Sequence, residues 1–260
     1  MPLDVPAHFA SLVCVGFDGD EPTPFIEDAL AAGVSTVILF ARNVGDPAST
    51  AETCRRLREA AGRPIVIAID QEGGTSRRLV EGFTPVPSMR ELARLGQVAV
   101  AEAATITARE LKSVGIDFNF APVVDVDSNP RNPVIGDRAF SNDAALVAEL
   151  GSIWIRSMQA ESIAACAKHF PGHGDTSEDS HLELPRLSHD LDRLRRIELL
   201  PFVAAVEADV ASIMSAHVLF EAIDPDQPAT LSHRVLQGVL RGELGFDGVI
   251  VSDDLEMDAI

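Results

Sequence analysis

The stretch 168–181, KHFPGHGDTSEDSH, holds three histidines and two aspartates around Pro171, Gly172 and Gly174. Two chemistries fit those residue types. One is a metal centre built from His169, His173, Asp175 and His181, since imidazole and carboxylate suit zinc or iron. Against it, Lys168 would set a cation beside the ligands, and no H-E-x-x-H helix presets the geometry. The other takes Asp179 and His181 as a pair. In an extended segment residues two apart point the same way, so the carboxylate can orient the imidazole and raise its pKa for proton donation and acceptance near neutrality. Such a pair must swing over a substrate, which a glycine-rich loop permits. It also needs a nucleophile to serve, and Asp253-Asp254, ending the run GVIVSDD, supplies candidates. One of two adjacent strand residues faces inward and the other outward. Asp254 is equally a cap for whatever follows.

These groups need a scaffold that brings distant segments to one face. Short apolar runs at 11–16, 34–40, 64–70, 118–124, 164–170, 210–217 and 248–253 read as buried strands. Helical patterns at 24–32, 47–61, 98–114, 142–161, 191–208 and 232–243 fall between them, several bounded by proline at the start and glycine at the end. Alternation of this kind implies right-handed βαβ units and a parallel sheet. Seven strands without a linker favour a (β/α) barrel over a doubly wound sheet, for which neither a G-x-G-x-x-G after the first strand nor a G-x-x-x-x-G-K-[ST] is present. Strand after strand ends in a reactive group: Asp70, Asp125, Lys168-His169, His217 and Asp253. In a parallel barrel these ends share the face on which active sites are built. Trp154 falls in register with Leu146, Leu150 and Met158 and reads as helix packing.

Composition bounds the partners. Among 260 residues there are 40 acidic and 21 basic side chains, a net charge of −19, which excludes a nucleic-acid binder and disfavours an anionic membrane surface. Cys14, Cys54 and Cys166 lie far apart and read as reduced thiols of a cytoplasmic protein. The first residues show no basic leader, and no apolar run reaches membrane-spanning length.

The segments DQEGG (70–74), NFAPVVDVDSNPRNPVIGDRAF (119–140), KHFPGHG with DSH (168–181) and GFDGVIVSDDLEM (245–257) resemble glycoside hydrolase family 3. The resemblance runs through the chain in order and is strongest to the N-acetyl-β-glucosaminidase (NagZ-type) branch. It implies a retaining exo-β-N-acetylglucosaminidase that trims peptidoglycan-derived fragments, with Asp253 as nucleophile, His181 as general acid/base and Asp179 as its partner. It also implies sugar contacts from Asp70, Arg78, Arg138, Lys168 and His169, a pocket role for His217, where a packed, hydrogen-bonded histidine fits equally well, and no metal or organic cofactor. A neutral histidine suits a site that already holds an anionic nucleophile, because a second ionised carboxylate would raise both pKa values. One departure stands out: after DQEGG the family commonly carries an arginine where this chain has Thr75-Ser76. With no tyrosine in the chain, any aromatic stacking on sugar falls to phenylalanine. Rival readings are a β-glucosidase or glycosyl phosphorylase on the same fold, the metal-dependent hydrolase above, and an inactive carbohydrate-binding module.

The expected fold class is therefore α/β, a (β/α)8 TIM barrel, with residues 1–260 as the family's N-terminal catalytic domain. A complete barrel has eight strands, and only seven are legible before Ile260. The expectation is a barrel truncated after the seventh strand, less stable than a longer chain.

Overall fold

The computed structural model describes residues 7–180 and 182–260. Among the described residues there are nine strands: β1 (Cys14–Val15), β2 (Thr36–Leu39), β3 (Val66–Ile69), β4 (Phe118–Asn119), β5 (Ala164–Phe170), β6 (Arg186–Leu187), β7 (Ser212–Ser215), β8 (Leu219–Phe220) and β9 (Val249–Ser252). Seven form one sheet in the order β1-β2-β3-β4-β5-β7-β9, while β6 and β8 pair separately. Every pairing is parallel. Neighbours in space are thus neighbours along the chain, with helices in the crossovers, which is barrel order rather than the reversed order of a doubly wound sheet.

Alternation along the strands builds two cores. Val37, Leu39, Ile67, Ile69, Ala165, Ala167 and Ile213 face outward into the helix layer, against Leu30, Leu57, Leu111, Trp154 and Phe202. The residues between them face inward: Ala68, Phe118, Phe120, Cys166 and Met214 form a second cluster, joined by Cys14, Ile38, Ala164 and Val251. All seven strands reach this inner cluster, so the sheet is curled and β1 and β9 share one interior. Among the described residues no strand pairs the outer edge of either.

The helices are α1 (Ala7–Ala10), α2 (Pro24–Ala31), α3 (Pro47–Ala61), α4 (Met89–Leu95), α5 (Gln97–Ser113), α6 (Ala144–Ala160), α7 (Leu191–Arg196) and α8 (Leu200–Glu207), followed by a π-wound helix, Arg234–Glu243. Their ends follow local chemistry. Asp46 caps α3 by accepting from the Ser49 N–H at 2.8 Å, and Gly62 closes it at φ 60°; Asp143 caps α6. The single helix expected over 191–208 is two. The chain turns at Ile197, Glu198 and Leu199, and Pro201, which has no N–H to give, sits in the first turn of α8. Among the described residues no helix is long and apolar enough to cross a membrane.

Candidate active site

The strand alternation decides which side chains meet. Because Ala68, Cys166 and Val251 face the interior, residues two further on, Asp70, Lys168 and Asp253, continue onto the axis at the carboxyl end. The ambiguity between the paired aspartates is thereby resolved. Asp253 is half-buried, and its backbone N–H donates to the Ser215 carbonyl at 3.1 Å, while Asp254 is exposed and accepts from the Glu256 N–H at 3.0 Å. Burial pushes the Asp253 carboxyl up. The His169 ring, the Asp254 N–H at 2.9 Å and the Lys168 ammonium outweigh it and hold the group below the ordinary aspartate range. An ionised carboxylate at the mouth of the curled sheet is a ready nucleophile.

Beside it lies a charged cradle. Lys168 Nζ is 2.8 Å from both Asp70 Oδ1 and Glu72 Oε1. Arg138 grips Glu72 with two parallel bonds, Nε to Oε2 at 2.9 Å and Nη2 to Oε1 at 2.8 Å, the geometry in which guanidinium and carboxylate fit best. Burial would raise the Glu72 pKa, but Lys168 and Arg138 hold it far below the glutamate range. Likewise burial works against the Lys168 charge, and Asp70 and Glu72 raise its pKa above the usual lysine value. Arg78 approaches Asp70 Oδ2 at 3.8 Å, and its buried Nε has no partner among the described residues. Gln71 sets this arm: its Oε1 accepts from the N–H of Arg78 and of Leu79, and its own backbone is held by Asn119. Just after DQEGG, Ser76 pairs with Gly73 in a tight turn.

His169 and His173 both depend on Asp125, which is fully buried. Asp125 accepts from the His169 ring Nδ1 at 2.7 Å, from the His169 N–H at 3.2 Å and from the His173 N–H at 2.6 Å. Burial lifts the Asp125 pKa, and the His169 ring and these bonds bring it below normal. The peptide between Lys168 and His169 is cis. The His173 ring lies 2.8 Å from Ser180 Oγ on one side and 2.8 Å from Thr176 Oγ1 on the other. Burial, then the His169 ring, lowers its pKa to about 4. Asp175 accepts from Ser128 Oγ at 2.7 Å and pairs with the His189 ring and with Arg193. His169, His173 and Asp175 therefore turn to three different sets of protein partners. Among the described residues no group of three such side chains is placed to hold a metal ion.

His217 is fully buried. Its Nε2 donates to the Asp254 carbonyl at 2.8 Å and its Nδ1 meets Thr230 Oγ1 at 2.9 Å, so both ring nitrogens bind protein and the residue braces the turn that carries Asp253. Asp179 is half-buried on the loop after β5; His181 lies outside the described residues. The structure thus gathers Asp70, Arg78, Arg138, Lys168, His169 and Asp253 at one mouth. Glu72, Gln71 and His189 went unassigned in the sequence. Glu72 carried a signal, standing two residues after Asp70 and hence on the same face; His189 carried none.

The chain matches the model of the family described as glycosyl hydrolase family 3 N terminal domain over residues 18–260. A beta-hexosaminidase of Pseudomonas aeruginosa is 44% identical over 227 residues, covering 86% of this chain and 67% of that protein. One of Thiobacillus denitrificans is 41% identical over 245 residues, covering 92% and 67%. Among solved structures, a glycoside hydrolase family 3 beta-N-acetylglucosaminidase from Paenibacillus sp. superposes with a TM-score of 0.96 at 45% identity, covering 99% of this chain and 50% of that one. NagZ from Neisseria gonorrhoeae in complex with N-trifluoroacetyl-D-glucosamine gives 0.89 at 33%, covering 94% and 74%. The chain therefore spans half the length of the Paenibacillus enzyme.

Proposed function

We propose, on the premise that this chain belongs to glycosyl hydrolase family 3, that it is the catalytic barrel of a retaining exo-β-N-acetylhexosaminidase. The observation that carries the reading is Asp253, an inward-facing strand-end carboxylate held ionised beside the Asp70–Lys168–Glu72–Arg138 cradle. In the first step an Asp253 oxygen attacks the anomeric carbon while His181, oriented by Asp179, protonates the departing glycosidic oxygen. In the second step His181 takes a proton from water, which releases the sugar from the covalent intermediate by double displacement. Asp70 suits sugar hydroxyls, and Arg78, whose Nε has no partner among the described residues, suits the acetamide carbonyl and ring hydroxyls together with Arg138. Lys168 and His169 keep the nucleophile charged as much as they touch substrate.

The same reading places residues 1–260 in a (β/α)8 TIM barrel that acts in the cytoplasm on a GlcNAc-terminated cell-wall fragment. The test compares aryl β-N-acetylglucosaminide with aryl β-glucoside, and maps a trapped glycosyl adduct. Turnover of the first and an adduct on Asp253 are expected. Asp253→Ala should abolish turnover, and His181→Ala should spare leaving groups that need no proton. An adduct on another residue, or preference for the glucoside, would overturn the reading.

A further inference from the structure

The base of the loop after β5 is fixed. The His173 N–H donates to buried Asp125, the Asn132 amide donates to the His173 carbonyl at 2.8 Å, and Gly174 packs so closely that a Cβ there would stand 1.9 Å from the Val126 carbonyl oxygen. From this base the His173 ring turns back toward the tip of its own loop, where Nε2 meets Ser180 Oγ at 2.8 Å. Both residues are 1% exposed. Ser180 is the residue between Asp179 and His181. On the other side Thr176 Oγ1 holds Nδ1, and the Asn132 amide in turn donates to Thr176 Oγ1 at 3.2 Å. In a neutral ring one nitrogen donates and the other accepts, so both hydroxyls are needed for a satisfied, buried imidazole with one orientation.

We propose that His173 is a positioning residue whose ring, anchored through Asp125, Asn132 and Thr176, pins Ser180 and so holds the loop that presents the acid/base pair. This rests on the reading of Asp179 and His181 as that pair. His173 moves no proton to substrate itself. A proton donor must come within about 2.6–3.2 Å of the atom it protonates, and misplacement by about 1 Å costs on the order of a hundredfold in rate.

The experiment measures kcat/KM of the full chain for phenyl and 2,4-dinitrophenyl β-N-acetylglucosaminides, because dinitrophenolate departs without a proton while phenolate does not. Ser180→Ala should lower kcat/KM for the phenyl substrate about tenfold to a hundredfold and leave the dinitrophenyl value within about twofold. Ser180→Thr, which keeps the hydroxyl, should restore the phenyl rate. If Ser180→Ala does not fold, Thr176→Val releases the other side of the ring and must show the same split. Equal losses on both substrates, or an unchanged phenyl rate, would overturn the proposal. A wild type that turns over neither substrate would remove the glycosidase reading beneath it, a distinct failure.

Discussion

Replacing Glu72 by glutamine keeps the volume of the side chain and removes only its charge. Glu72 is 3% exposed and accepts three charge-assisted hydrogen bonds, two from Arg138 and one from Lys168. A glutamine oxygen cannot serve all three donors, and its NH2 must then point at one of them. Lys168 keeps Asp70 at 2.8 Å and Arg138 keeps the Val134 carbonyl at 3.3 Å, but two buried cations are left facing one carboxylate. Breaking a buried pair from one side costs about 3–5 kcal/mol, against 0–1 kcal/mol for an exposed pair. For a domain of this size 1 kcal/mol moves Tm by roughly 2–4 °C, so a fall of about 6–20 °C is expected. The folded fraction should also lose kcat/KM, because Lys168 and Asp70 no longer hold their places. The pH dependence gives a second check. A carboxylate whose folded pKa is depressed contributes stability that is complete above its unfolded pKa and disappears as pH falls toward its folded one. The gap between wild type and Glu72→Gln should therefore be constant above about pH 5 and shrink below about pH 4. Denaturant unfolding of both proteins across that range is the assay. A difference under about 1 kcal/mol at neutral pH would refute the view of Glu72 as the buried keystone of the cradle.

Other outcomes follow from the loop and its neighbours. His173, with its pKa lowered to about 4, takes up its proton more readily unfolded than folded. Stability should therefore drop by about 1.4 kcal/mol per pH unit from this group between about pH 6.5 and 4, a slope that His173→Gln should reduce by one proton in the same unfolding series. Asp253, Asp125 and Glu72, whose pKa values are lowered from the carboxylate range, lose their contributions only below that window. Gly174→Ala would drive a Cβ into the Val126 carbonyl and should displace the loop, which a large loss of turnover with retained secondary structure by circular dichroism would register.

Much of the fold was legible along the chain because the strands of the main sheet lie in short apolar runs and long helices such as α3 and α6 begin at aspartate caps. Short elements were not: β6, β8 and α4 leave too little periodic sequence to read. The helix expected over 191–208 breaks where Glu198 turns inward, to pair with Arg193 and pack against Gly172. Strand-end chemistry at Asp70, Lys168, His169 and Asp253 was visible too, since parallel strands deliver their carboxyl ends to one face whatever the loops do.

What sequence by itself determined, then, is the alternation of strand and helix, the face that carries the reactive groups, and their types. Only tertiary structure decided that Asp253 rather than Asp254 looks inward, because facing depends on which parity of β9 packs on the inner cluster. Only tertiary structure decided that Glu72 closes the cradle, that His173 turns to Ser180 and Thr176, and that His189 answers Asp175. The reason is common to all of these. Spacing along a chain sets which side chains share a face, whereas a buried charge or imidazole takes whichever partner the curled sheet brings within about 3 Å, since leaving it unpaired there costs more than any local preference.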